Sequence, residues 1–133
     1  MKKIKCVYFQ TASGRMPARE FIDSLDERSQ QKYFEVINLL SDYGKSLPEP
    51  HTKHLEDEIY ELRFFGIEGR VRILYFFYHE GKAVLTNGLV KKKGPVPKKE
   101  IKTAKGRMKI YIEQNMKKWE LNRRGDKNER NNR

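Results

Sequence analysis

Arg70-Val71-Arg72-Ile73-Leu74-Tyr75-Phe76-Phe77-Tyr78-His79 is the stretch whose reading decides the fold. Successive side chains of a strand point to opposite faces, so Val71, Ile73, Tyr75 and Phe77 share one face, and Arg70, Arg72, Leu74, Phe76 and Tyr78 the other. Both faces are apolar toward the end of the run, which predicts a central strand covered on each side. Two flanking runs of strand formers, Ile59 to Phe65 and Lys82 to Leu89, are set off from it by Gly66 with Gly69 and by Glu80-Gly81. The three together read as an antiparallel meander.

The cover for that strand has to come from the rest of the chain. On the N-terminal side, Lys5 to Gln10 alternates around Val7 and Phe9 as a first strand, and Thr11-Ala12-Ser13-Gly14 breaks it. Pro17 suits the first position of a short helix through Leu25. Asp26 can cap a second helix in which Tyr33, Val36, Ile37 and Leu40 recur at helical spacing, with Gly44 as its stop. Leu47-Pro48-Glu49-Pro50 predicts an extended loop that carries His51 and His54. After the meander, a helix is predicted from Pro97 toward Leu121, with Ile101, Ala104, Met108, Ile112 and Trp119 as an apolar stripe. From Asn122 onward no apolar residue is present, so residues 122–133 are predicted to form a disordered basic tail. The expectation is an α+β fold in a single domain over residues 1–121: N-terminal strand, helical hairpin, antiparallel meander and C-terminal helix.

Size and charge narrow the possible partners. A chain of 133 residues suits one compact domain. Cys6 is the lone cysteine, so no internal disulfide is possible and a reduced cytoplasm is expected. The apolar run after Met1-Lys2-Lys3-Ile4-Lys5 is too short for a signal peptide or a membrane span. The net charge of +11 is unevenly placed: residues 1–90 hold 13 basic and 13 acidic groups, and residues 91–109 hold nine basic groups against Glu100 alone. A balanced body with one concentrated cationic segment is the arrangement expected of a surface that meets a polyanion, nucleic acid above all.

Several enzyme classes are excluded by missing motifs. The sequence has no phosphate-binding glycine loop, no Cys/His cluster at zinc spacing and no calcium loop. Glu56, Asp57 and Glu58 could in principle hold Mg²⁺, but consecutive residues point in different directions, so a solvated cluster is expected, with no metal and no cofactor.

The remaining signal lies in Glu61-Leu62-Arg63, in Arg72-Ile73-Leu74-Tyr75, in Lys91-Lys92-Lys93 after the last strand, and in Pro97-Lys98-Lys99-Glu100-Ile101 at the start of the last helix. In order and spacing these resemble the phage-derived toxins of the RelE/HigB superfamily over roughly Lys5 to Met116. Leu89, where the family often has Phe, and Lys93, where it often has a hydroxyl residue, depart from the pattern. The resemblance implies a toxin of a type II toxin-antitoxin pair that cleaves mRNA, typically on the ribosome, and so inhibits translation. It also implies a cognate antitoxin, often a helix-turn-helix protein.

Metal-independent RNA cleavage requires the ribose 2′-hydroxyl to lose a proton, the phosphorane to be neutralised and the leaving 5′-oxygen to be protonated. Arg63 and Arg72 are the expected clamp, able to grip two phosphate oxygens if their strands pair suitably. A lysine among like charges has its pKa pushed down, which makes Lys91 and Lys92 candidates for proton transfer. Tyr75 and His54 are weaker candidates. Lys53, His54, Lys93, Lys98 and Lys99 are assigned to RNA binding. The bland alternatives are that Arg63 and Arg72 pair with Glu61 or Glu68, and that Tyr75 belongs to the core. Two other functions compete: a toxin of the same fold that inhibits DNA gyrase, and a non-catalytic RNA- or ribosome-binding module.

Overall fold

The computed structural model describes residues 3–79 and 81–131, the last seven as backbone. Its elements are β1 (Lys5–Tyr8), α1 (Pro17–Asp23), α2 (Glu27–Tyr43), a 3₁₀ turn (Gly44–Ser46), β2 (Thr52–Glu56), β3 (Ile59–Phe65), β4 (Arg70–Tyr78), β5 (Lys82–Lys91) and α3 (Lys98–Asn131). The sheet runs β1-β5-β4-β3-β2, antiparallel except for the parallel pair of β1 and β5. This is the α+β, RelE-like arrangement expected from the sequence, with β4 central as its two apolar faces require.

Each face of β4 has its own core. Val71, Ile73 and Tyr75 pack with Leu62, Phe64 and Leu85 against Ala18, Ile22, Tyr33, Val36 and Leu40 of the helical hairpin. On the opposite face Leu74 and Phe76 pack with Ile59, Val84 and Phe9 against Val96, Ile101 and Ala104. The hairpin is punctuated as its sequence predicts. Asp26 caps α2, accepting from the Ser29 backbone N–H at 3.0 Å and from its hydroxyl at 2.6 Å. Gly44 ends α2 at φ +55°, a conformation that favours glycine.

Three features differ from the expectation. Thr52–Glu56, predicted as loop, forms the edge strand β2, which has little side-chain burial to announce it. Strand β5 carries a bulge at Thr86: Leu74 pairs with Asn87 but Tyr75 with Leu85. The bulge reverses the alternation, so that Asn87, Leu89 and Lys91 face α3 while Gly88 faces the hairpin. Finally, α3 continues beyond Asn122, the predicted start of the tail, to Asn131. At 34 residues it is about 50 Å long and outruns the sheet. Trp119, expected in the apolar stripe, is therefore exposed, with the Arg123 guanidinium 5.2 Å from its ring centroid. Tyr111, outside the predicted stripe, instead meets Phe76 and Tyr78 edge-on.

Two outcomes are expected from this packing. A Cβ at Gly88 would lie 2.3 Å from a ring carbon of Phe21, so Gly88→Ala should destabilise by about 1–3 kcal/mol in urea unfolding. The bonds from the Ser29 hydroxyl and N–H hold the Asp26 carboxyl below its ordinary pKa. A depressed folded-state pKa adds stability that is complete above the unfolded value and is lost as pH falls through the folded one. Asp26→Asn, which keeps an acceptor but does not titrate, should therefore flatten the acid limb of a pH–stability profile.

Candidate functional site

Strand register builds the site. Arg63 of β3 stands directly opposite Arg72 of β4, and Arg72 opposite Leu89 of β5. The next row holds Lys53, Glu61, Leu74 and Asn87; the row on the other side holds Phe65, Arg70 and Lys91. Directly paired residues project to one face, so Lys53, Glu61, Arg63, Arg70, Arg72 and Lys91 all lie on the face that α3 begins to cover. The bulge at Thr86 is what turns Lys91 to this side.

At the centre is a buried carboxylate. Glu61 is 1% exposed and ion-paired with both arginines, accepting a hydrogen bond from Arg72 Nη1 at 3.5 Å and lying 3.5 Å from Arg63 Nη1. Two like charges on adjacent strands would repel; a carboxylate between them converts the pair into a bridged triad. Arg72 is 4% exposed, and its Nη2 donates to the carbonyl of Gly94. That bond ties the lysine-rich turn between β5 and α3 to the sheet. Lys91 Nζ adds a second tie, donating to the Pro95 carbonyl at 3.2 Å. Arg63 Nε donates to the Pro50 carbonyl at 3.2 Å, joining the proline loop to the same triad.

A second polar layer lies beneath. Asn87 Nδ2 donates to the Glu100 carboxylate at 3.0 Å, fixing the first turn of α3, and Arg107 Nη1 donates to the Thr86 carbonyl at the bulge at 2.9 Å. Arg72 Nε and Asn87 Oδ1 are buried without a hydrogen-bond partner. Asn87, Glu100 and Arg107 were not singled out as site residues from the sequence; the interruption of the strand pattern at Thr86-Asn87-Gly88 was the available signal.

The other predicted residues fall into three groups. Lys53, Lys92, Lys93, Lys98 and Lys99 are exposed, with Lys53 in the Glu61 row and the rest in the turn and the first turn of α3. His54 lies one residue from Lys53 and so projects to the opposite face, where its ring is 5.0 Å from that of Tyr60. The structure does not bring it to the arginines. Tyr75 is 1% exposed in the hairpin-side core, its hydroxyl 2.6 Å from Thr52 Oγ1, and burial pushes its pKa up to about 12. It is the core residue that its alternation suggested. Of the acidic cluster, Glu56 and Asp57 are engaged by Lys105 Nζ at 2.7 and 2.9 Å. Among the described residues no group of three or more His, Cys, Asp or Glu could hold a metal ion, and no helix is long and apolar enough to cross a membrane.

A RelE-like sheet with a cationic face gathered on a buried carboxylate defines the class. The family model described as phage derived protein Gp49-like (DUF891) matches residues 20–109. The chain belongs to that family, one of RelE/toxin-like proteins. No curated protein matches the sequence.

The triad makes the two arginines unequal. Arg72→Ala would leave Glu61 buried with one partner and release the turn, so a loss on the order of 3–5 kcal/mol is expected in denaturant unfolding. The Arg63 side chain is 14% exposed against 5% for Arg72, and Arg63→Ala should cost clearly less in the same measurement.

Proposed function

We propose that the protein is the toxin of a toxin-antitoxin pair, a metal-independent endoribonuclease that cuts mRNA on the ribosome and so inhibits translation in the cytoplasm. The observation that carries this reading is the convergence of Lys53, Arg63, Arg70, Arg72 and Lys91 on one sheet face, bordered by Lys92, Lys93, Lys98 and Lys99. Lys98 and Lys99 sit in the first turn of α3, where the helix dipole disfavours cations. Their placement makes sense as phosphate contact rather than as helix stabilisation.

In this mechanism Arg63, the more exposed arginine, meets the scissile phosphate and stabilises the charge that builds on the phosphorane. Arg72 holds the turn and, through Glu61, the orientation of Arg63. Lys91, on the same sheet face, and Lys92, in the turn that follows it, serve as the proton acceptor from the 2′-hydroxyl and the donor to the 5′-oxygen. Tyr75, buried and bonded, and His54, on the opposite face, take no part in proton transfer. The partners in this reading are mRNA, the ribosome and a cognate helix-turn-helix antitoxin.

A second reading, a non-catalytic RNA- or ribosome-binding surface, is favoured by one observation: both arginines are already ion-paired with Glu61 and donate to backbone carbonyls. Induced expression of wild type and Arg63→Ala in bacteria separates the two. Growth arrest with new mRNA ends inside translated messages is expected for the wild type, with both lost in the variant. Arrest without new ends would refute cleavage. RNA affinity should also fall steeply with added salt, as counterion release requires; a flat response in filter binding would contradict the cationic face as the contact surface.

A further inference from the structure

On the hairpin side of the sheet, away from the arginines, four aromatic side chains gather at the β2 edge. Tyr60 stacks on Tyr75 with centroids 5.6 Å apart and planes 23° apart, and Phe77 meets both edge-on at 5.5 Å. His54 tilts against Tyr60. These rings line a recess of about 190 Å³ whose rim carries Lys45, Lys53 and Glu49. A purely structural aromatic cluster would be sealed, but here only Tyr75 is buried: Tyr60 and Phe77 are half-buried, and His54 is exposed. The proposed cleavage chemistry uses none of the four.

We infer that this recess binds one base of single-stranded RNA, stacked on Tyr60 and Phe77 beside His54, with the adjoining phosphate on Lys45 or Lys53. The inference rests on the RNA reading given above. Three observations select the ligand. Flat aromatic surfaces accept any base through its π-face. The two lysines outweigh Glu49 at the rim, and Lys45 already lies 5.6 Å from the Phe77 centroid; this charge opposes the organic cation that a bare aromatic cage would attract and favours an anionic ligand. The volume is below the roughly 300 Å³ at which pockets for drug-sized ligands begin, which suits a single ring system. Strand β2 provides the route. It is the sheet edge, and its consecutive residues Lys53 and His54 face the arginine side and the recess respectively. An RNA strand rounding this edge places one nucleotide in the recess and a neighbouring phosphate by Arg63.

The test compares a 2′-O-methyl oligoadenylate, which cannot be cleaved through its 2′-oxygen, with an abasic oligomer of equal charge. On the full-length protein the base-bearing oligomer should bind about tenfold or more tightly than the abasic one, the range of base–aromatic stacking. His54→Ala, an exposed substitution, and Tyr60→Leu should narrow that gap, whereas Lys98→Ala with Lys99→Ala should weaken both oligomers alike. In the wild type the imidazole NMR signals of His54 should shift with the base-bearing oligomer alone, a readout independent of whether Tyr60→Leu folds. Equal binding of both oligomers with His54 unmoved would overturn the base site, leave the RNA reading standing and turn the recess toward a partner protein's side chain. Binding of neither would remove the base site together with the reading on which it rests.

Discussion

The bridged triad of Glu61, Arg63 and Arg72 is the constraint on which the site depends. A carboxylate at 1% exposure is unfavourable unless paired and hydrogen-bonded. Here it is approached by two guanidiniums that direct strand pairing would otherwise set against each other. The buried charge and the cationic pair stabilise one another, and the excess positive charge is fixed in position. From there the bond of Arg72 to Gly94 and that of Arg63 to Pro50 extend the order outward to two loops. The lysine-rich turn is thus not a free cationic strand but one attached to the sheet at Gly94 and at Pro95.

The division of the molecule into two cores gives each sheet face a different task. The hairpin face is closed by α1 and α2 for most of its area and opens at the β2 edge. The other face is covered where Val96 and, from α3, Ile101, Ala104 and Tyr111 reach Leu74 and Phe76, and the row that carries Arg63 and Arg72 lies at the margin of this core, with Leu89 packed against it. The bulge at Thr86 links these arrangements. By shifting the phase of β5 it lets apolar Val84 serve the α3 core while Asn87 and Lys91, farther along, serve the polar rows. Arg107, donating to the Thr86 carbonyl, fastens α3 at this same point.

Much of this was legible in the sequence because it follows from periodicity. The two apolar faces of Arg70 to Tyr78 announced a central strand, and Pro17, Asp26 and Gly44 punctuated the hairpin where the structure has it. Strand β2 was hidden because an edge strand buries little and Thr52-Lys53-His54 carries no apolar pattern. The phase shift in β5 was hidden because a bulge inserts one residue without changing composition; only Thr86-Asn87-Gly88 marked it. That one missed residue decides which face Lys91 serves. The pairing of Arg63 with Arg72 needed strand register, which depends on the β3–β4 turn, and the alternative of an ion pair with Glu61 proved to coexist with a shared site. The separation of Lys53 from His54 required knowing that both belong to a strand.

The central claim, that the cationic face cuts RNA without a metal, makes a chemical demand on the product. Attack by the ribose 2′-hydroxyl leaves a 2′,3′-cyclic phosphate and a 5′-hydroxyl, whereas attack by a metal-activated water at the same linkage typically leaves a 5′-phosphate. The most direct measurement is end analysis of mRNA recovered from programmed ribosomes after incubation with the purified protein. The account predicts new 5′-hydroxyl ends, absent when Arg63→Ala replaces the wild type. Intact message, or new ends bearing a 5′-phosphate, would contradict it.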